Sequence, residues 1–270
     1  MKFPIGFHAE QENTPAKQPE EAPAVSTAPR KSVVQVHFPA RNMSLAYYND
    51  RFDLRPGDLV FVDGKLAGLR GRVTDVSYTF KIKLSDYQRV IAVADTNLSG
   101  EFFLAGSHFV TFDETALPFE KVLGWFRPPA DPEEEYVSGY DGKSFPLAHP
   151  EKMGISPTVA DRGADYYREN KVVYLSIDAE GRGRAIVEGR TAYTPEFGFR
   201  DGTVTDLTCS CFCGYPCKHG FAAMLQLRET LEFVLRHYAA QFEETGYLAA
   251  VSRDVFLRIA ATRETGSFRI

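Results

Sequence analysis

The stretch that decides the architecture of this protein is Cys-Ser-Cys-Phe-Cys-Gly-Tyr-Pro-Cys-Lys-His, at residues 209–219. It contains all four cysteines of the 270-residue chain. A disulfide scaffold spreads its cysteines along the sequence to join distant segments, whereas a metal site gathers them. This stretch therefore predicts a metal site in the last third of the chain.

Four side chains in the stretch have the spacing of a closed ligand set: Cys209, Cys211, Cys217 and His219. In an extended segment, residues two positions apart point to the same face, so Cys209 and Cys211 can hold one ion together. Cys217 and His219 lie at the start of a long amphipathic pattern. Because three sulfurs and one imidazole are typical of structural zinc, we predict that these four residues bind one Zn²⁺ ion.

Other uses of the cluster remain open at this stage. Cys213 is in phase with Cys209 and Cys211 and could replace one of them, although few residues would then remain for the turn before Cys217. The four cysteines could instead hold an iron–sulfur cluster, which would leave His219 without a role. A catalytic pair of Cys217 and His219 is disfavoured because the neighbouring thiols would bind any available metal.

The sequence on either side of the cluster predicts an α+β fold. Short alternating runs between residues 33 and 112 are separated by Pro-Gly, Asp-Gly and Asn-Leu-Ser-Gly, which predicts a small β-barrel-like domain. Residues 159–208 predict a short helix and further strands. Between residues 219 and 242, apolar residues recur at spacings of three and four, which predicts an amphipathic helix. A second helix is expected at about 247–263.

These patterns divide the chain into four parts. We predict a disordered tail at 1–32, a β-barrel-like domain at 33–127, an acidic linker at 128–157 and a zinc-binding domain with two C-terminal helices at 158–270. The tail is rich in Pro, Glu and Ala, and residues 9–31 contain no aromatic side chain. Such a segment cannot bury enough apolar surface to offset its conformational entropy.

Residues 158–227 resemble the SWIM zinc-finger family, whose signature is Cys-x-Cys, a variable gap and Cys-x-His. The segments DRGADYYRENKVVYLS and AIVEGRTAYTPEFGF resemble the lead-in of that family, and CKHGFAAMLQL resembles the start of its apolar helix. Cys213 departs from the pattern of many members. The resemblance implies a zinc-stabilised module that contacts DNA in some members and proteins in others, and it does not imply catalysis.

Residues 57–73 (GDLVFVDGKLAGLRGRV) resemble the KOW motif of small SH3-like barrels in ribosome and transcription proteins, with one residue fewer between Val62 and Gly64. Residues 30–95 hold 11 Lys and Arg against 7 Asp and Glu. These cations are interleaved with aromatic residues, an arrangement that suits single-stranded nucleic acid. The candidate contacts are Arg70, Arg72, Lys81, Lys83 and Arg89. The alternative is a generic barrel in which the aromatic residues form the core.

The charge distribution leaves two function classes. The net charge of −5 argues against non-specific binding of nucleic acid by the whole protein, and residues 161–229 are near neutral, with 9 Lys and Arg against 10 Asp and Glu. We expect a zinc-binding module for macromolecular recognition, with DNA or RNA as the partner and the main contacts within residues 30–95. The alternative is an adaptor that binds a protein and has no nucleic-acid role.

Other function classes lack support in the sequence. There is no P-loop, Gly-x-Ser-x-Gly or His-Glu-x-x-His motif, so we expect neither an enzyme nor a small-molecule substrate. No apolar run reaches the roughly 20 residues that span a bilayer. The first residues, MKFPIGFHAEQEN, do not resemble a secretory signal, so a cytoplasmic protein is expected.

Overall fold

The computed structural model describes residues 29–129, 142–213 and 216–260, together with the backbone of 268–269. The fold is α+β, as predicted, with two antiparallel sheets and helices packed around the larger one. Most of the predicted tail and the acidic centre of the predicted linker lie outside the described residues. Among the described residues, no helix combines the length and the apolar character needed to cross a membrane.

The first sheet consists of the five strands nearest the N-terminus: β1 (Ser32–Phe38), β2 (Met43–Asn49), β3 (Leu59–Val62), β4 (Gly71–Ser77) and β5 (Val90–Val93). Their order is β2-β1-β4-β3-β5, and each neighbouring pair is antiparallel. Alternation along β1 places Val34, Val36 and Phe38 in the core with no exposed surface, as the two-residue period of a strand requires.

This N-terminal sheet curls but does not close into a barrel. Its two edge strands meet only at their ends, where the Tyr48 N–H donates to the Gln88 carbonyl (2.9 Å) and an isolated bridge joins Tyr48 to Arg89. Two edge strands that touch at one point cannot form a continuous ladder. The predicted barrel-like domain is therefore an open, curled sheet.

The structure requires glycine in the KOW-like segment for two different reasons, backbone conformation and close packing. Gly64 and Gly68 adopt positive φ angles of 81° and 78° in the connection between β3 and β4, where a side chain would be strained. Gly71 lies against β1, and a Cβ at this position would come within 2.3 Å of Val36 Cγ1 and 2.9 Å of Phe38 Cε1. This contact holds β4 close to β1.

The second sheet has nine strands: β7 (Phe103–Ala105), β8 (His108–Thr111), β9 (Ser144–Pro146), β10 (Val172–Ile177), β11 (Arg182–Glu188), β12 (Ala192–Tyr193), β13 (Pro195–Arg200), β14 (Thr203–Cys209) and β15 (Leu248–Ser252). The order is β7-β8-β15-β10-β11-β13-β14-β9, with β12 paired to β11. A separate parallel pair joins β6 (Gly100–Glu101) to β16 (Phe268–Arg269).

Helices cover both faces of the nine-stranded sheet: α1 (Phe119–Leu123), α2 (Pro157–Arg168), α3 (Lys218–His237), α4 (Ala239–Thr245) and α5 (Arg253–Ile259). On one face, α3 packs through residues such as Met224 and Leu227 onto the core that contains Leu175. On the other face, Phe256 of α5 belongs to the same buried hydrophobic cluster as Trp125 and Tyr174. Because β10 is buried on both faces, its sequence VVYLSI is almost continuously apolar.

One predicted pair of strands belongs to a different sheet than expected, and one predicted helix begins with a strand. The 103–111 hairpin pairs with β15, so the predicted domain 33–127 extends over two sheets, and the predicted linker contributes β9. Residues 248–252, expected to begin a helix, form the buried strand β15, and α5 is confined to Arg253–Ile259. Alternation identifies strands but does not identify their partners, and the five-residue run LAAVS is too short to distinguish a strand from a helix.

Candidate metal centre and the adjoining groove

The first half of the metal centre lies on a strand end that is fixed to the neighbouring chain. Strand β14 ends at Cys209, and Ser210 follows it. The Ser210 N–H donates to the Thr194 carbonyl (3.3 Å), and the Ser210 hydroxyl oxygen accepts from the Thr194 N–H (2.9 Å). These bonds fix the segment between Cys209 and Cys211 against the connection between β12 and β13.

The second half of the centre is the N-terminus of α3. Cys217 is the N-cap residue, and its sulfur accepts a hydrogen bond from the Gly220 N–H (3.3 Å). His219 lies in the first turn and is buried. Hydrogen bonds from the Cys209 and Cys211 thiols, and then from the Gly220 and His219 backbone N–H groups, hold the pKa of Cys217 well below its ordinary value. The neighbouring thiols, and after them the backbone N–H groups of the helix N-terminus, therefore favour a thiolate at Cys217, the form that binds metal.

The structure brings the four predicted ligands together. One atom from each of Cys209, Cys211, Cys217 and His219 lies within 4.8 Å of all the others. Zinc binds sulfur at about 2.3 Å and nitrogen at about 2.0 Å, so this cluster is close to the size of a tetrahedral site. His219 Nδ1 lies 4.0 Å from Cys209 Sγ, and the buried Nε2 has no hydrogen-bond partner among the described residues.

The imidazole nitrogen nearest the sulfurs is His219 Nδ1, and three thiolates with one neutral imidazole nitrogen are the donors that structural zinc takes. The donor set therefore fits zinc, which the four residues would hold as a closed structural site. In that role the metal crosslinks the end of β14 to the start of α3 and provides no open coordination position.

Aromatic side chains surround the buried imidazole. The Tyr193 ring stacks on the His219 ring, with centroids 3.9 Å apart and an interplanar angle of 15°. The edge of Tyr166 approaches from another side at 5.4 Å. Lys218 Nζ donates to the Tyr166 hydroxyl (3.0 Å) and also lies over its ring. These contacts limit the orientations that the His219 ring can adopt.

Cys213 borders the cluster of four through a hydrogen bond with Cys211 but is not one of its members. Its side chain is exposed, whereas Cys217 is buried and Cys209 and Cys211 are partly buried. Cys213 is not a member of the group whose ligand atoms lie within 4.8 Å of one another. The observed arrangement therefore favours the predicted set over the alternative in which Cys213 replaces a ligand.

Residues 200–228 match the family model of the SWIM zinc finger. The matched segment runs from the end of β13 through β14 and the cysteine loop to the first half of α3. This SWIM match and the cluster of three cysteines and one histidine are consistent with zinc as the bound metal. Searches of curated proteins and of solved structures found no match to the chain.

Two of the five candidate nucleic-acid contacts join the N-terminal sheet to the rest of the protein. Arg70 donates to the Trp125 carbonyl (3.0 Å) and lies 3.8 Å from Glu188, and its burial lowers the pKa of the guanidinium. Arg72 donates to the carbonyls of Gly57 (3.0 Å) and Arg258 (3.3 Å). Both guanidinium groups are therefore engaged in contacts within the protein.

The other three candidates are differently placed. Arg89 pairs with Asp50 and lies over the Tyr48 ring. Lys81 and Lys83 are exposed in the connection between β4 and β5, and neither forms an ion pair with a described residue. Of the predicted set, these two lysines are the most available for contact with a partner.

Two adjoining cavities lie between residues 39–72 and residues 188–196. Together we call them the basic groove. Their volumes are about 380 and 940 Å³, and both are lined by Gly68, Leu69, Arg190, Thr191 and Ala192. Seven cationic side chains and three glutamates line the groove, although the whole protein carries a net charge of −5. The cations are Arg41, Lys65, Arg70, Arg72, Arg127, Arg190 and Arg258.

No pattern in the sequence indicated the groove or its most exposed aromatic ring. Phe212, between two cysteines of the metal loop, is 82% exposed and lines the larger cavity. Arg41, Lys65 and Arg190 are far apart in the chain, so no local charge count could place them together. A phenylalanine within a polar, metal-binding turn was the one local signal that could have drawn attention to this position.

Proposed function

We propose that the protein binds nucleic acid in the basic groove, with the zinc module as one wall and the N-terminal sheet as the other. The observation that carries the proposal is the concentration of positive charge in a concave surface of an otherwise acidic protein. Neutralisation of phosphates by Lys and Arg supplies most of the affinity of nucleic-acid-binding proteins.

The cations that face the groove differ in availability. Arg41, Lys65 and Arg190 are exposed, and in the part of the chain that the structure describes they form no ion pair. Two of the three glutamates have cationic neighbours: Glu188 lies near Arg70, and Glu120 accepts a hydrogen bond from Arg184. The remaining positive charge can therefore act on phosphates.

The zinc site supports this role indirectly. Ser210 and Phe212 line the groove, and both belong to the loop that carries Cys209 and Cys211. A metal bound by that loop would hold this wall of the groove in one conformation. Loss of zinc should therefore weaken binding even though no ligand residue contacts the nucleic acid.

The test is fluorescence anisotropy with labelled DNA and RNA oligonucleotides, titrated at several salt concentrations. The groove variant carries Arg41→Ala, Lys65→Ala and Arg190→Ala. The matched control carries Lys81→Ala, Lys83→Ala and Arg200→Ala, which removes the same charge from exposed residues outside the groove. The groove variant should flatten the dependence of log K on log salt by about 2 units, and the control should change it little.

The outcomes separate the candidate functions. If the control variant loses affinity and the groove variant does not, contact lies outside the groove, and the Lys81→Ala, Lys83→Ala double variant then shows whether it lies in the loop of these two lysines or at Arg200. If the zinc-loaded protein binds no oligonucleotide at low salt, the proposal is wrong and the protein-adaptor function is favoured. The exposed apolar residues of edge strand β2, Met43 and Leu45, are the observation that supports such an adaptor.

A further inference from the structure

Phe212 is unusual among the phenylalanines whose side chains the structure describes. It is 82% exposed, and no other phenylalanine in that set is an exposed side chain. Leaving a phenyl ring in water instead of burying it costs about 1.5–3 kcal/mol. A ring held in solvent at the edge of a charged groove therefore suggests a ligand that covers it.

Hydrogen bonds fix the backbone just before Phe212, and the ring lines the groove. Phe212 directly follows Cys211, and the segment before it is fixed by the two hydrogen bonds between Ser210 and Thr194. The ring lines the same cavity as Arg41, Lys65 and Arg190. The larger part of the groove thus combines an aromatic face with cations that have no ion-pair partner among the described side chains.

We propose that the groove takes a single-stranded nucleic acid, with an unpaired base stacked on Phe212 and the phosphates beside Arg41, Lys65 and Arg190. The inference rests on the function proposed above and adds the form of the ligand. A base in a duplex is already stacked between its neighbours, whereas an unpaired base can turn its face to an aromatic side chain. A concave surface encloses a strand, whereas readout of a duplex requires an element that enters its groove.

The experiment compares four probes on the full-length, zinc-loaded protein. They are oligothymidylate and oligouridylate of about 12 nucleotides, a DNA duplex of the same length, and polyglutamate as a competitor of similar charge. The variants are Phe212→Ala, Phe212→Trp and Tyr78→Ala. Tyr78 is an exposed ring that lies outside the groove, so its removal is the matched control.

The wild-type protein should bind the single strands about ten-fold more tightly than the duplex. Phe212→Ala should weaken single-strand binding about 5- to 150-fold, because loss of one stacked base costs about 1–3 kcal/mol. Its salt dependence should not change, since the ring carries no charge. Phe212→Trp should retain the affinity, and Tyr78→Ala should leave it unaltered. The two single strands show whether DNA or RNA is preferred.

Other results would overturn the inference. Equal affinity for duplex and single strand, or wild-type affinity in Phe212→Ala, would show that no base stacks on this ring. Effective competition by polyglutamate would identify an acidic protein as the ligand. If the groove variant lowers the salt dependence while Phe212→Ala leaves the affinity unchanged, the protein binds nucleic acid in the groove but no base stacks on Phe212. If no oligonucleotide binds, the proposed function itself fails. Measured zinc content shows whether any loss of affinity reflects damage to the metal loop.

Discussion

The N-terminal sheet and the metal-bearing end of the nine-stranded sheet are held together by different forces. The first has its own apolar core, in which Val34, Val36 and Phe38 of β1 pack against Val60 of β3. The second joins β14 to α3 through the Cys209–His219 segment, where three buried or partly buried sulfurs and a buried imidazole lie together. Alternating apolar residues provide a small sheet with a core of its own. A polar turn has too few apolar residues for this and requires another link, which a metal can supply.

The two regions are nevertheless in contact. Leu59 and Ala94 of the N-terminal region belong to the same buried cluster as Trp125 and Phe256. The hydrogen bond of Arg70 to Trp125 crosses the same boundary. Substitutions confined to one region therefore show how far each region depends on its own stabilising interactions.

Zinc removal should have the largest effect and should be confined to one region. Structural zinc contributes on the order of 10 kcal/mol to the folding of small zinc modules. Chelation, or Cys217→Ser, should remove the metal and expose residues 200–240 to protease while β1–β5 stay protected. Limited proteolysis with mass spectrometry, alongside metal analysis, measures both. Equal loss of the two regions would show that they fold as one cooperative unit.

Cys213→Ser is the matched control for the ligand set. The wild-type protein should contain about one zinc ion per chain. Because Cys213 is exposed and lies outside the cluster, its replacement should leave the zinc content unchanged. Loss of zinc in this variant would show that Cys213 is a ligand, and iron in the purified protein would refute zinc as the metal.

A pair of glycine substitutions should damage one region at a time. Gly71→Ala places a Cβ within 2.3 Å of Val36 in the N-terminal core, and Gly163→Ala places one within 2.8 Å of the Lys218 carbonyl at the contact of α2 with α3. Overpacking of this kind should cost about 3 kcal/mol of unfolding free energy. Gly71→Ala should leave zinc affinity unchanged, whereas Gly163→Ala should reduce it. Denaturant unfolding and chelator competition distinguish the two results.

Acid should weaken the attachment of the 103–111 hairpin. His108 is fully buried, its ring nitrogens contact Ser107 and the Val172 carbonyl, and burial lowers its pKa to about 4. The unfolded chain binds the proton near pH 6.5, so this contribution to stability is present above about pH 6.5 and is lost as the pH falls toward about 4. Between about pH 7 and pH 5 the loss should be about 2 kcal/mol.

His108→Gln removes this titration and keeps a polar side chain. Its stability should therefore fall less than that of the wild-type protein over the same pH interval, which urea unfolding at each pH measures. A parallel decline in the two proteins would assign the acid sensitivity to other groups. Hydrogen exchange at Phe103–Thr111 would show whether this hairpin opens first.

The smallest effect is expected at the ring that stacks on the metal-binding histidine. Tyr193→Ala removes the stacking on His219, and aromatic pairs contribute about 1 kcal/mol. The zinc dissociation constant, measured by competition with a chromogenic chelator, should rise about five-fold. Tyr193→Phe keeps the ring and should restore the affinity. If the alanine variant binds zinc normally, the stacking has no role in positioning the imidazole.

The sequence by itself determined the features that depend on local geometry. The two-residue spacing of Cys209 and Cys211 and the placement of Cys217 and His219 at a helix start predicted the cluster that the structure shows. The turn after β13 is equally local, with Asp201 and Gly202 both at positive φ in the sequence RDGTV. Such features require only the periods of strands and helices and the conformational preferences of a few residues.

Only the tertiary structure decided which distant segments are neighbours. The alternation in residues 103–111 specified a hairpin but not its pairing with β15, which is formed about 140 residues later in the chain. Arg70 and Arg72 looked like surface cations in the sequence, and their hydrogen bonds to Trp125 and Arg258 appear only when the sheets pack together. The basic groove has the same origin, because the free energy of packing is set by whole surfaces and not by any local pattern.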